Sequence, residues 1–425
     1  MITLPYGKEN LTYNPRPADE VLYSRVREMP VGNGAALVAE AMAKPCGPSL
    51  RELAVGKENI VIIISDHTRP VPSRDILPGM LREIREGNPG ARVTLLVATG
   101  VHRGTTVEEL RAKLGDDIYE NYPIVIHNAR NEEEQVYLGV LPSGAELWID
   151  RVAAEADLLV SEGFIEPHFF AGYSGGRKSV LPGVSAAVTV LGNHCSRFIA
   201  SHRARTGILD QNPIHEDMCA AAQMAGLRYI VNVVINGEKE TVAAFAGDPE
   251  EAHGAGCRYL AGYCGVKPQK KGDIVITTNG GYPLDQNIYQ SVKGLTAGEA
   301  ACREGGVLII TAACSDGTGG EHFYKALRDA ESPEALYDAC MQVPQNETRP
   351  DQWQYQILAR IMKRFSVIFV SSPEAAPLIR DMKLGYAETL AEAIAMAEKI
   401  VGKDHHRVII PDGVSVVVEE SLENS

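Results

Sequence analysis

The chain has 425 residues, 45% of them apolar and 23% charged, and a formal net charge of −14 at pH 7. That length suffices for two domains, with room for a third, each large enough for its own core. The acidic balance excludes a nucleic-acid surface, which needs a basic stripe, but not small anions gripped by a few arginines and lysines in one cleft.

The amino end, Met1-Ile2-Thr3-Leu4-Pro5-Tyr6, lacks the apolar run of a signal peptide. Ile60 to Ile64, the longest strongly apolar run, is far too short to cross a bilayer. Eight cysteines are scattered without a C-x-x-C pair, which suits reduced thiols better than a disulfide framework or a thiolate zinc site. The expectation is a cytoplasmic protein with no membrane or nucleic-acid partner.

In chain order, short apolar runs end in polar or glycine-rich loops and alternate with helical patterns. Ile60–Ile64 runs into Ser65-Asp66-His67-Thr68-Arg69-Pro70, and Val93–Val97 into Ala98-Thr99-Gly100-Val101-His102-Arg103. Thr106 and Glu109 form a capping box for a helix that Gly115 can end. Asp157–Val160 leads into Ser161-Glu162-Gly163, and Asn236-Gly237 after Val233–Ile235 predicts a two-residue hairpin turn. The lysine-rich stretch Gly265–Gly272 reads as a linker, placing a domain boundary near residue 268. Strands follow at Asp273–Thr277, Val307–Thr311, Val367–Val370 and Val408–Ile410, with a helix from Leu390 to Val401 capped by Thr389 and Glu392. Continuous apolar runs of this length mark strands buried on both faces, hence an α/β fold with mainly parallel sheets and ligands at the carboxyl ends of the strands.

The chemistry-bearing residues cluster at those ends. Arg69 suits a carboxylate or phosphate, and Asp66 and Thr68 suit ribose or phosphate oxygens; the bland alternative is a polar turn that Pro70 ends. His102 and His168 are each either an acid/base group or an ordinary histidine, His168 lying between Pro167 and Phe169-Phe170. Gly172-Tyr173-Ser174-Gly175-Gly176-Arg177-Lys178-Ser179 approaches a P-loop, but Arg177 stands where the motif needs its second glycine. The loop therefore reads as an anion cradle without ATP hydrolysis, entering a helix near Lys178, which is a phosphate contact or a covalent attachment point. His194 alone is a weak metal signal. Further on, Tyr289 and Lys293 share one helix face flanked by Gln290, a set that suits a small carboxylate or simply a solvated face.

Taken together, Asp66–Pro72, Val97–Arg103, His168–Pro182 and Gly280–Gly294 resemble the nickel-dependent lactate racemase family, over nearly the whole chain. The resemblance implies two α/β domains, residues 1–268 carrying cofactor and acid/base groups and residues 269–425 binding substrate, with the active site in the cleft between them. It implies a nickel-pincer pyridinium mononucleotide linked to Lys178, with His194 as nickel ligand and Asp66, His67, Thr68 and Arg69 as cofactor contacts. His102 and His168 become the acid/base pair, and Arg69, Tyr289, Gln290, Lys293 and Trp353 the substrate pocket. The implied reaction interconverts D- and L-lactate or a similar short 2-hydroxy acid by proton-coupled hydride transfer, with cofactor-synthesis proteins as accessory partners. Val101 beside His102 and Pro167 before His168 depart from the family pattern and leave open a larger or more polar 2-hydroxy acid. A non-catalytic cofactor carrier is the alternative of another class.

Overall fold

The computed structural model describes residues 1–419. The chain divides into two compact units, one formed by Val26–His194 with Ile208–Tyr263, the other by Met1–Arg25, Cys195–Gly207 and the chain from Cys264 onward. Both are α/β with mainly parallel sheets.

In the first unit the apolar runs become β1 (Asn59–Ser65), β2 (Arg92–Ala98), β3 (Ile124–Ile126), β4 (Leu158–Phe164), β5 (Leu227–Ile235) and β6 (Thr241–Gly247). They align in the order β6-β5-β4-β1-β2-β3, parallel except for β6. Ile60, Ile62 and Ile64 are fully buried and pack with Ile76, Leu77, Met80 and Ile84 of helix α1 (Ser73–Gly87). Each such side chain contributes about 1.5–3 kcal/mol through burial, which outweighs the roughly 1 kcal/mol net of a hydrogen bond. Helix α2 (Val107–Leu114) begins with the expected Thr106–Glu109 capping box and ends at Gly115 with φ +82°. Helices α3 (Pro213–Met224) and α4 (Pro249–Cys264) flank the last two strands in sequence.

The expected two-residue turn at Asn236-Gly237 is instead a longer loop, because β5 ends at Ile235 and β6 starts at Thr241. Asn236 organises it: its Oδ1 accepts the amides of Glu238 and Glu240, and Lys239 takes the positive φ that the turn requires.

The second unit carries β7 (Gly272–Thr278), helix α5 (Ile288–Ala301), β8 (Cys302–Thr311), helix α6 (Gln352–Arg364), β9 (Ser366–Val370), β10 (Gly385–Ala387), helix α7 (Leu390–Val401) and β11 (Arg407–Ile410). Its sheet runs β10-β9-β8-β7-β11, then the short strand Glu20–Val21, all parallel. Thr389 and Glu392 make the expected capping box on α7. No helix among the described residues is long and apolar enough to cross a membrane.

Candidate active site

In the first unit β1 is flanked by β2 on one side and β4 on the other, so chain order reverses there, the position at which open α/β sheets bind ligands beyond the strand ends. Asp66 follows β1 directly, 1% exposed. Its Oδ2 lies 2.8 Å from Nδ1 of His102 in the loop after β2, and its Oδ1 accepts the amide (3.1 Å) and hydroxyl (2.7 Å) of Thr68. Burial pushes the Asp66 pKa up, but the hydrogen bonds from His102 and Thr68, with the charges of His102 and Arg69, outweigh it and hold the carboxyl below its usual value. A carboxylate at Nδ1 fixes the proton there and leaves Nε2 of His102 as the accepting nitrogen. Arg69, exposed, donates to Thr68 Oγ1 at 3.3 Å. His67 turns instead toward the start of α2, its Nδ1 3.1 Å from Thr105 Oγ1 and 3.7 Å from Glu109 Oε2.

The second cluster gathers on one aromatic ring. Phe170, 4% exposed, meets His168 edge-on at 4.6 Å and His194 at 5.0 Å, and the Lys178 ammonium sits 5.9 Å from its centroid. His168 accepts the Ala171 amide on Nδ1 at 3.3 Å. Burial, helped by the Lys178 charge, pulls the His194 pKa down to about 3, so its imidazole is neutral at physiological pH. The two clusters are tied through the backbone: the Gly100 amide donates to the Gly183 carbonyl (2.9 Å), whose own amide donates to Lys178 (3.1 Å).

The glycine-rich loop differs from the anion cradle expected of it. Lys178 lies in a four-residue 3₁₀ turn, Gly176–Ser179, rather than at the mouth of a helix. Four amides are spent inside the protein: Tyr173 on Ala171, Ser174 on Glu166, Lys178 on Gly175, and Gly176 on Asn232 Oδ1 at 2.7 Å. The glycines are there for close packing. Gly176 has φ +53°, and a Cβ on it would meet the His253 ring at 2.8 Å.

In the second unit Asn287 caps α5 by accepting the Gln290 amide. Tyr289, Gln290 and Lys293 occupy its first turns. Tyr289 packs edge-on against Phe323 at 5.2 Å, and Gln354 of α6 donates to its carbonyl. Burial, then the charge and hydrogen bonding of Asp351, raise the Tyr289 phenol, while a hydrogen bond with Trp353 acts the other way. Tyr289, Trp353 and Asp351 thus form one group. Between the two helices Arg360 of α6 grips Glu299 of α5 with two prongs at 3.0 and 2.8 Å.

Sequence reasoning missed several supports. Lys113 of α2 donates to the carbonyls of Arg69 (3.2 Å) and Val71 (3.4 Å), stapling the turn that carries Asp66. Ser73 donates to the buried Glu162 carboxyl at 2.6 Å. The sequence signals Ser73 as a polar side chain on the apolar face of α1, whereas Lys113 stands among other charged residues and carries no such signal.

Among the described residues no three His, Cys, Asp or Glu side chains converge as a metal site. Of the groups at Phe170, the neutral His194 imidazole near Lys178 fits a metal whose other donors arrive on a ligand tethered to that lysine.

Comparison with known proteins bears on the whole chain. Residues 6–207 match the lactate racemase N-terminal domain and residues 267–418 the lactate racemase C-terminal domain. The chain is 51% identical to a lactate racemase of Thermoanaerobacterium thermosaccharolyticum over 423 residues, 99% of each chain. It is 50% identical to a lactate racemase of Lactiplantibacillus plantarum over 383 residues, 90% of each. The structure of the lactate racemase apoprotein from T. thermosaccharolyticum superposes with a TM-score of 0.95, at 50% identity, covering 99% of this chain and 100% of that one. A crystal structure of a Thermotoga maritima protein shares the fold alone, with a TM-score of 0.66 at 19% identity over 92% of this chain and 100% of that one. The chain therefore belongs to the lactate racemase family and is an isomerase of the racemase class.

Proposed function

We propose that this protein interconverts the enantiomers of lactate or a similarly short 2-hydroxy acid by proton-coupled hydride transfer. Lys178 would carry a nickel-pincer pyridinium mononucleotide and His194 would ligate its nickel. When bound, that group supplies a reversible hydride acceptor, which avoids a carbanion beside an ionised carboxylate. His102, its Nδ1 held by Asp66, takes the hydroxyl proton of one enantiomer on Nε2, and the buried carboxylate steadies the resulting cation. His168, whose Nδ1 accepts the Ala171 amide and so leaves the ring proton on Nε2, delivers that proton to the oxygen of the other enantiomer as it forms. Two such groups are needed because the hydroxyl of each enantiomer presents from a different side. Arg69, Gln290 and Lys293 take the carboxylate and hydroxyl region, and Tyr289 and Trp353 line the pocket.

The observation that carries this reading is the convergence of His168, Lys178 and His194 on Phe170, in a chain half identical to lactate racemases. The test is co-expression with cofactor-synthesis proteins, then a chiral assay over a panel of 2-hydroxy acids. Racemisation of lactate or a close homologue is expected, and racemisation of none of the panel by nickel-loaded protein overturns the proposal. Full racemisation in both directions by His102→Ala or His168→Ala would overturn the two-base scheme.

A further inference from the structure

We propose that Arg177 is a positioning residue for Lys178: its guanidinium, braced by His253, holds both ends of the loop that brings Lys178 to Phe170. This rests on Lys178 being the attachment point. Arg177 is 3% exposed. Its Nη2 donates to the carbonyl of Ala171, next to Phe170, at 2.7 Å, and its Nη1 donates to Gly175 at 3.2 Å. The first contact anchors the ring and the second anchors the turn that carries Lys178. A planar fork spans two carbonyls in this way, whereas an ammonium is a single point.

Among the described residues no carboxylate pairs with Arg177 and its Nε has no hydrogen-bond partner, so the charge is spent on loop geometry rather than on an ion pair. Burial accordingly lowers the Arg177 pKa to about 10. His253 of α4 completes the floor. Its Nε2 lies 2.9 Å from Arg177 Nη1 and 2.8 Å from the Ser174 carbonyl, and its ring fills the space that a side chain on Gly176 would need. That nitrogen serves one of the two at a time, and both contacts hold the same loop.

Arg177, His215, Cys219 and His253 line a cavity of about 860 Å³, which offers a small cation a way in. The test uses the cofactor-free chain and reads acetylation of Lys178 by limiting acetic anhydride, relative to the exposed Lys44, by peptide mass spectrometry. Arg177→Ala should raise that ratio about tenfold through local opening, Arg177→Lys should fall between, and millimolar guanidinium ion should return Arg177→Ala toward the original ratio. A folded Arg177→Ala chain with an unchanged ratio overturns the proposal. If Arg177→Ala does not fold, His253 decides: a raised ratio in His253→Ala with His253→Gln near the original supports the proposal, and unchanged ratios in both overturn it. Because this assay contains no cofactor, its failure leaves the attachment role standing. That role is read separately, as mass added at Lys178 in loaded protein.

Discussion

Asp66 is almost fully buried yet remains ionised, because Thr68 and His102 supply the hydrogen bonds that water would otherwise provide. Asp66→Asn keeps the Thr68 contacts but presents an amide donor to Nδ1 of His102, which drives the ring proton onto Nε2. The expected loss in kcat is about 10²–10³-fold with KM little changed, measured on cofactor-loaded protein. His215 offers a separate titration. Burial, then the Arg177 charge, lowers its pKa from 6.5 to about 3. Between those values the unfolded chain binds a proton that the native chain refuses, so stability is full above pH 6.5 and falls as pH drops toward 3. Replacing His215 with Gln should flatten that acid limb by about 1 kcal/mol or less between pH 7 and 5, the ring being partly exposed, as read from urea unfolding.

At the scale of elements, helices α5 and α6 hold the proposed substrate residues of the second unit, and a buried ion pair joins them. Glu299 and Arg360 side chains are 6% and 9% exposed, and Arg364 adds a third contact at 3.3 Å. Glu299→Gln leaves the Arg360 charge without its partner and should cost about 3–5 kcal/mol of stability. Since Tyr289 and Trp353 ride on these helices, KM should rise more than kcat falls, which steady-state kinetics on the folded variant would separate. Local elements were largely legible in the sequence, as at the capping boxes of Thr106 and Thr389. Asn236 shows the limit: its side chain closes a longer loop around two later amides, which a dipeptide rule for turns does not include.

At the scale of the molecule, the second unit is assembled from three separated stretches. Within it Gln352 donates to Ser196 Oγ, Gln356 to the Ser196 carbonyl (2.9 Å) and Arg360 to the Ile199 carbonyl (3.3 Å). A fragment starting at Cys264 lacks those partners and the Glu20–Val21 edge strand. It should show no cooperative urea transition by circular dichroism, and adding residues 1–25 and 195–207 through linkers should restore one. A cooperative transition in the bare fragment would contradict this account.

What the sequence determined by itself is what acts over short range. Apolar runs made the parallel strands, caps set the helix ends, and Asp66, His102 and Lys178 stood out in strand-end or glycine-rich loops. Only the tertiary structure decided who meets whom. It joined Asp66 to His102 across 36 positions, made Phe170 the meeting point of His168, Lys178 and His194, and set His67 against Thr105. It also gave the glycine-rich loop its internal work, with Arg177 holding the Ala171 and Gly175 carbonyls and Asn232 taking the Gly176 amide. The physical reason is range: caps and periodicity are satisfied within a few residues, whereas the direction of a buried polar side chain is set by partners that only packing brings near.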